Sequence, residues 1–216
     1  MTLLSADVFR SLSGLPRPDG LLGLVERRPA PLETLPTSGL IVVAEAVERP
    51  GNLGTIVRTA CGAGAAALVA ADPRTDLFHP ETVHASVGTI FDLPVAAAST
   101  ADAIAWWPGR VVVATPDGRK AHWEADYGKA EGTAIVVGNE RAGVSDAWLA
   151  RADETVGIPL PGPADSLNVA VAAAVVLFEA LRSRERDRRL DLDGESGRQL
   201  GDADRRARTE AALLPP

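Results

Sequence analysis

The stretch from Ile158 to Leu181, IPLPGPADSLNVAVAAAVVLFEAL, constrains this chain most. A loop stiffened by Pro159, Pro161 and Pro163 and broken by Gly162 leads into Ser166-Leu167-Asn168, and an almost wholly apolar run follows. A helix without a polar stripe has to be covered on most sides. With roughly a dozen apolar residues before Glu179, the run is too short to span a bilayer, which takes about 20, so a buried helix of a globular core is expected. Asp165, Ser166 and Asn168 stand at its entrance, where side-chain oxygens can cap the first turn and free backbone N–H groups can face an anion. The loop before the helix is the first candidate site.

Composition narrows the class. The 216 residues leave room for one domain of ordinary size with extensions, and 46% apolar content with only 4% aromatics points to an α/β core built on Ala, Val and Leu. One cysteine, Cys61, excludes an internal disulfide framework and fits a reduced, cytoplasmic setting. The first ten residues lack the basic start, apolar core and cleavage site of a secretion signal. The net charge of -7 is unevenly spread: 13 basic and 21 acidic residues run through Leu181, then nine Arg against eight acids follow. An acidic body argues against non-specific polyanion binding, because phosphate contacts need local Lys or Arg. Arg49, Arg58, Arg74, Arg119, Lys120 and Arg141 are the local cations available. His79, His84 and His122 lack acidic or cysteine partners at metal-ligand spacing, so no metal is expected.

Taken in order, residues 1–38 are rich in proline and read as a linker or a lead-in. Leu40 to Ala44 is a continuous apolar run of strand length, as expected where both faces of a parallel sheet are covered. Leu53, Ile56, Val57, Ala60 and Cys61 recur at helical spacing, and Gly62 with Gly64 supplies the stop. Further strands are expected at 65–70, 110–114, 133–137 and 155–160, with a brief extended piece at 93–96; helices are expected at 80–87, 101–107 and 144–150, the last capped by Ser145. Residues 119–132 are polar and ambiguous. Alternating strands and helices imply a mostly parallel sheet flanked by helices, an α/β fold. Gly62-Ala63-Gly64 follows a helix where a dinucleotide fingerprint would follow a strand, so it is read as a helix stop. The tail from 183 to 216, charged and poor in large apolar residues, is expected to be disordered.

Three loops fall at carboxyl ends of predicted strands, the edge where open α/β sheets bind ligands. They are 48–52, 138–143 and 159–168, and they bring Asn52, Glu140, Ser166 and Asn168 into play, with Arg58 further along the first helix. Gly54 is expected to let backbone approach closely, and the second loop contributes Gly138 and Gly143.

These segments resemble, in order and spacing, three motifs of one family: Asn52-Leu-Gly-Thr-Ile-Val-Arg58-Thr-Ala60, Ile135-Val-Val-Gly-Asn-Glu-Arg-Ala-Gly-Val-Ser145, and Ile158-Pro-Leu160 through Ser166-Leu-Asn-Val-Ala170 to Glu179. The family is the SpoU/TrmH branch of the SPOUT RNA methyltransferases, and the resemblance spans about residues 38 to 181. It implies a C-terminal trefoil knot, S-adenosyl-L-methionine (AdoMet) as cofactor and methyl transfer to a ribose 2′-hydroxyl of tRNA or rRNA. By the same resemblance Val137, Gly138, Asn139, Glu140, Gly143, Ile158, Leu160, Ser166, Leu167 and Asn168 would hold the cofactor. Arg58, Asn52, Glu140, Ser166 and Asn168 would be catalytic, and Arg58 would act as base or as phosphate clamp. The expected partners are RNA and a second copy of the chain, with small residues between Val169 and Ala174 packing across the homodimer; neither a membrane nor a metal is expected. Domain bounds follow: 1–38 a linker or the remnant of an N-terminal RNA-binding domain, 39–182 the methyltransferase domain, 183–216 the tail. Two alternatives carry different tests: a non-catalytic RNA-binding module on the same fold would not bind AdoMet, and an enzyme acting on a base nitrogen would give a different product nucleoside.

Overall fold

The computed structural model describes residues 2–13, 20–128 and 132–189. Seven strands form one sheet: β1 (Gly39–Glu45), β2 (Ala67–Ala71), β3 (Val95–Ala98), β4 (Arg110–Ala114), β5 (Lys120–Ala121), β6 (Gly132–Val137) and β7 (Glu154–Gly157). Their order across the sheet is β3-β2-β1-β6-β4-β7-β5, and every pairing is parallel. The helices are α1 (Ala6–Ser13), α2 (Pro50–Gly62), α3 (Pro80–Ser86), α4 (Thr100–Trp106), α5 (Asp146–Arg151) and α6, helical from 169 through 189.

Alternation along each central strand feeds two cores. Leu40, Val42 and Ala44 of β1 join Leu53, Ile56, Val57 and Ala60 of α2 and Val169, Ala173, Val176 and Leu177 of α6 on one face. Ile41 and Val43 join Ala103 and Trp107 around α4 and Trp148 of α5 on the other. Continuous apolar runs in β1, β2 and β6 are thus the signature of strands buried on both faces.

Several boundaries differ from the sequence reading. The last strand ends at Gly157 rather than Leu160, because Pro159 has no N–H to continue a ladder. The ambiguous segment contains β5 and a short 3-10 turn, His122–Glu124. Ser145 stands at the N-cap of α5 without a capping bond; its hydroxyl donates to Glu45 instead. The expected tail is helical as far as residue 189, where Arg and Glu favour helix, Ser183 is buried and Gly128 packs against Asp187; residues 190–216 lie outside the described residues. Segment 30–35, expected in the linker, belongs to the sheet domain, since the Ala30 N–H donates to the Val95 carbonyl (2.8 Å) and Leu35 is buried. Val169, Ala170 and Ala173 pack into their own core rather than across a second chain, leaving Val171 and Phe178 about half exposed.

Candidate active site

Four strands that neighbour one another, β1, β6, β4 and β7, send their carboxyl-end loops to the same edge of the sheet. The chain has run outward from β1 through β2 to β3, then jumped to β4 and filled the gap with β6. A reversal of strand order of this kind opens a crevice at the carboxyl edge. The crevice is here a cleft of about 730 Å³, walled by Glu48, Arg49 and Asn52, Ala114–Pro116, Val137–Arg141, Gly143 and Val144, Ile158–Leu160 and Ala164–Val169.

At its centre three polar side chains from three different segments are joined. The Asn168 amide donates to Asn52 Oδ1 (3.1 Å), and the Asn52 amide donates to Glu140 Oε1 (2.7 Å). Asn52 sits in the first turn of α2, whose cap residue is Arg49, so the side chain is free of capping duty and spans the cleft. Asn168 Oδ1 accepts from the N–H groups of Ala170 and Val171, which makes it the residue that starts α6. Glu140 Oε2 accepts from the Glu48 N–H (3.3 Å). Burial alone would raise the Glu140 pKa, but hydrogen bonds from Asn52, from its own N–H and from those of Glu48 and Arg49 outweigh it and hold the carboxylate below its ordinary range.

The loop carrying Glu140 is held from both ends. Asn139 and Gly143 exchange backbone hydrogen bonds (2.9 and 3.0 Å). The Asn139 amide donates to Ala46 O and Glu48 Oε1, and its Oδ1 accepts from the N–H groups of Arg141 and Ala142. The Asn139 side chain is therefore committed to holding the loop, while the residue still lines the cleft. On the far side the buried Glu45 carboxylate accepts from Ser145 N–H (2.8 Å), Ser145 Oγ (2.6 Å) and Thr100 Oγ1 (2.9 Å).

The glycines permit close packing of the chain against itself. A side chain at Gly138 would overlap the Gly143 carbonyl and approach Val144 N to 2.6 Å, so its close approach is to the chain's own loop. Gly143 (φ 72°) occupies the left-handed region that closes this loop. Gly54 lets α3 approach, at the Thr82 carbonyl and Ala85, which is the close backbone approach expected of it.

Val137, Gly138, Asn139, Glu140, Gly143, Ile158, Leu160, Ser166, Leu167 and Asn168 all line the cleft, as does Asn52. Arg58 does not; it is exposed on α2, outside its own chain's cleft. Thr115, Pro116 and Arg49 line it without having been singled out as cofactor or catalytic residues. The turn after β4, Thr115-Pro116-Asp117-Gly118, gains its place because β4 lies beside both β6 and β7.

The cleft suits a nucleoside-bearing ligand. Its volume falls in the range of small-molecule sites, about 300–1,000 Å³. Val137, Val144, Ile158, Leu160 and Leu167 offer apolar walls. Among the described residues, the N–H groups of Leu160, Ser166 and Leu167 donate to no protein atom and remain available. Glu140 and Asp165 add negative charge to the cleft, which a cationic ligand could meet.

A parallel sheet flanked by helices, with a cleft of this make at its carboxyl edge, defines an α/β enzyme of the kind that binds a nucleoside-containing cofactor. Residues 39–178 match the model of the SpoU rRNA Methylase family, and the chain belongs to that family. It is 35% identical to a 23S rRNA (uridine(2479)-2′-O)-methyltransferase from Streptomyces viridochromogenes over 77% of this chain and 61% of that protein. It is 34% identical to a 23S rRNA (guanosine(2553)-2′-O)-methyltransferase from Bacillus subtilis, over 82% of this chain and 70% of that protein. The AdoMet-bound rRNA methyltransferase from Sinorhizobium meliloti superposes with a TM-score of 0.76 at 37% identity, covering 82% of this chain and 70% of that one. The chain thus spans about 61% of the first relative's length and 70% of the other two.

Proposed function

We propose that the chain transfers the methyl group of AdoMet to a ribose 2′-hydroxyl of ribosomal RNA. The observation that carries this reading is the Asn168–Asn52–Glu140 chain of hydrogen bonds, which draws all three sequence motifs into one cleft of cofactor size. Relatives whose names specify 2′-O transfer to 23S rRNA support ribose over base and rRNA over tRNA. Because one acts on a uridine and the other on a guanosine, the shared chemistry resides in the sugar.

AdoMet supplies an activated methyl on a positively charged sulfur. The protein's part is largely to position the acceptor oxygen in line with that methyl and to stabilise charge as the hydroxyl proton leaves. Glu140, kept ionised by its donors, fixes Asn52; Asn52 fixes Asn168. Ser166 and Asn168 stand at the cleft beside the start of α6. Arg58 orients the target ribose by gripping its phosphate, a role a permanently charged guanidinium suits better than that of base.

Since Arg58 lies outside its own chain's cleft, the reading places it in the cleft of a second copy. The half-exposed Val171 and Phe178 of α6, with the Phe178 ring beside Gly62 at the end of α2, give an apolar face for that contact. The same reading makes the segments after β6 and β7 the crossing of a trefoil knot, supported by their joint lining of one cleft, and sets the reaction in the cytoplasm. Among the described residues no helix is long and apolar enough to cross a membrane.

The test is incubation of unmodified 23S rRNA transcript with methyl-labelled AdoMet, followed by nuclease digestion. Label is expected in a 2′-O-methylnucleoside; label on a base, or AdoMet that never binds, would overturn the reading. Arg58→Ala should lower transfer by at least about a hundredfold, the scale of losing one charge-stabilising group, while AdoMet affinity by calorimetry stays within about twofold.

A further inference from the structure

Six exposed cations near the site are candidates for RNA phosphates, and the structure separates them. Lys120 is held by Glu154 (3.0 Å). Arg74 lies in a neighbouring hollow with Glu45, Glu48 and Asp72, surroundings that repel phosphate. Arg58 and Arg119 lie outside both hollows. Arg49 and Arg141 line the main cleft, both are exposed, and neither forms an ion pair among the described residues. By contrast Arg10, Arg28, Arg110, Arg151 and Arg182 are each paired with a carboxylate.

The two arginines are 92 positions apart in sequence and rise from one stitched unit. Arg49 precedes Pro50 and is extended as that requires (φ -86°, ψ 121°); the N–H of its neighbour Glu48 donates to the Glu140 carboxylate (3.3 Å). Arg141 follows Glu140, and its N–H donates to Asn139 Oδ1 (2.8 Å). Asn139 in turn reaches the Ala46 carbonyl and Glu48 Oε1 (2.9 and 3.2 Å). The cleft's acids include Glu48 and Glu140, both accepting hydrogen bonds in this stitch, and Asp165. The arginine side chains, with Asp165, are the cleft's charges outside this stitch of hydrogen bonds, and the two arginines are its only cations among the described residues.

A ribose that enters the cleft leaves its two phosphodiesters at the rim, because the RNA backbone continues outside. We propose that Arg49 and Arg141 grip these flanking phosphates alongside the Arg58 that a second copy would bring, forming a two-cation subsite of the chain's own at the cleft mouth that seats the RNA strand. The inference rests on the RNA reading above. It gives an acidic protein a local means of holding a polyanion: each phosphate neutralised releases condensed counterions and adds to the salt dependence of binding.

The test uses the full chain, its Arg49→Gln and Arg141→Gln variants and the double variant, with unmodified 23S rRNA transcript as probe. The slope of log affinity against log salt should become shallower by about 0.7 to 0.9 for each arginine removed, and by about twice that in the double variant. AdoMet affinity, measured separately by calorimetry, should stay within about twofold. An unchanged slope in the double variant overturns the proposal. So does a collapse of AdoMet affinity with RNA affinity intact, which would assign the arginines to the cofactor's carboxylate. The two readings fail apart: wild type that places no 2′-O-methyl group sinks the proposed activity, whereas the slopes judge the subsite alone.

Discussion

Glu140 carries more of this site than its place in an exposed turn suggests. It accepts from the Asn52 amide and from backbone N–H groups of the loop after β1, and these donors, winning over burial, lower its pKa. A carboxylate whose folded pKa is depressed contributes stability that is present above the unfolded value and is lost as pH falls through the folded one. Glu140→Gln keeps the shape but turns an amide toward donors. Its deficit relative to wild type, on the order of 1 kcal/mol, should therefore be fullest above about pH 5 and shrink as the pH drops further. Urea midpoints at a series of pH values measure it; a deficit independent of pH would detach Glu140's charge from the loop. Transfer activity should fall with it, since Asn52 loses its anchor.

At the level of elements, the loop after β6 is the piece whose rigidity matters, and Glu45 is its buried anchor. Three donors converge on this one carboxylate, from Ser145 twice and Thr100 once. Glu45→Gln leaves one of them facing an amide in a buried place, a loss of about 1–3 kcal/mol, and should weaken AdoMet binding although Glu45 does not line the main cleft. Thermal unfolding with and without AdoMet separates the two effects; equal AdoMet affinity in the variant would show that the anchor and the cleft are uncoupled. The legibility of these elements was uneven for physical reasons. Strands β1, β2, β4 and β6 were plain because two-sided burial writes unbroken apolar runs. Asn52, Glu140 and Asn168 were legible as a set only through motif spacing, because each alone could have been a cap or a loop acid. Glu45 was not legible at all: nothing in Leu-Ile-Val-Val-Ala-Glu marks the last residue as a buried acceptor for Ser145, 100 positions away. The packing of Gly138 against the Gly143 carbonyl was not legible either, because close backbone approach has the same signature whether the neighbour is a ligand or the chain's own loop.

For the molecule as a whole, the proposed pairing of two copies turns the exposed position of Arg58 into a test. If each cleft borrows Arg58 from a partner, an Arg58→Ala chain and a chain with its cleft disabled by Gly138→Ala should complement each other. Co-expressed at equal levels with different tags, the mixture should recover about a quarter of wild-type transfer, half the dimers having one complete site. Each variant alone should be nearly inactive. Heterodimers that form but stay inactive would show that Arg58 serves its own chain.

The place of β6 in the sheet has a consequence for the order of folding. β1 ends at Glu45, yet its neighbour on one side comes from Gly132–Val137. The same late strand supplies the partner of β4. Until it arrives, two apolar strands face an empty slot between them, each with a row of unpaired backbone groups open to any other extended chain. During synthesis the first 131 residues therefore pass through a state with an unfinished sheet interior. Contacts of such long sequence separation are slow to form, so the nascent chain's greatest exposure to aggregation falls before the residues that close the cleft have been made.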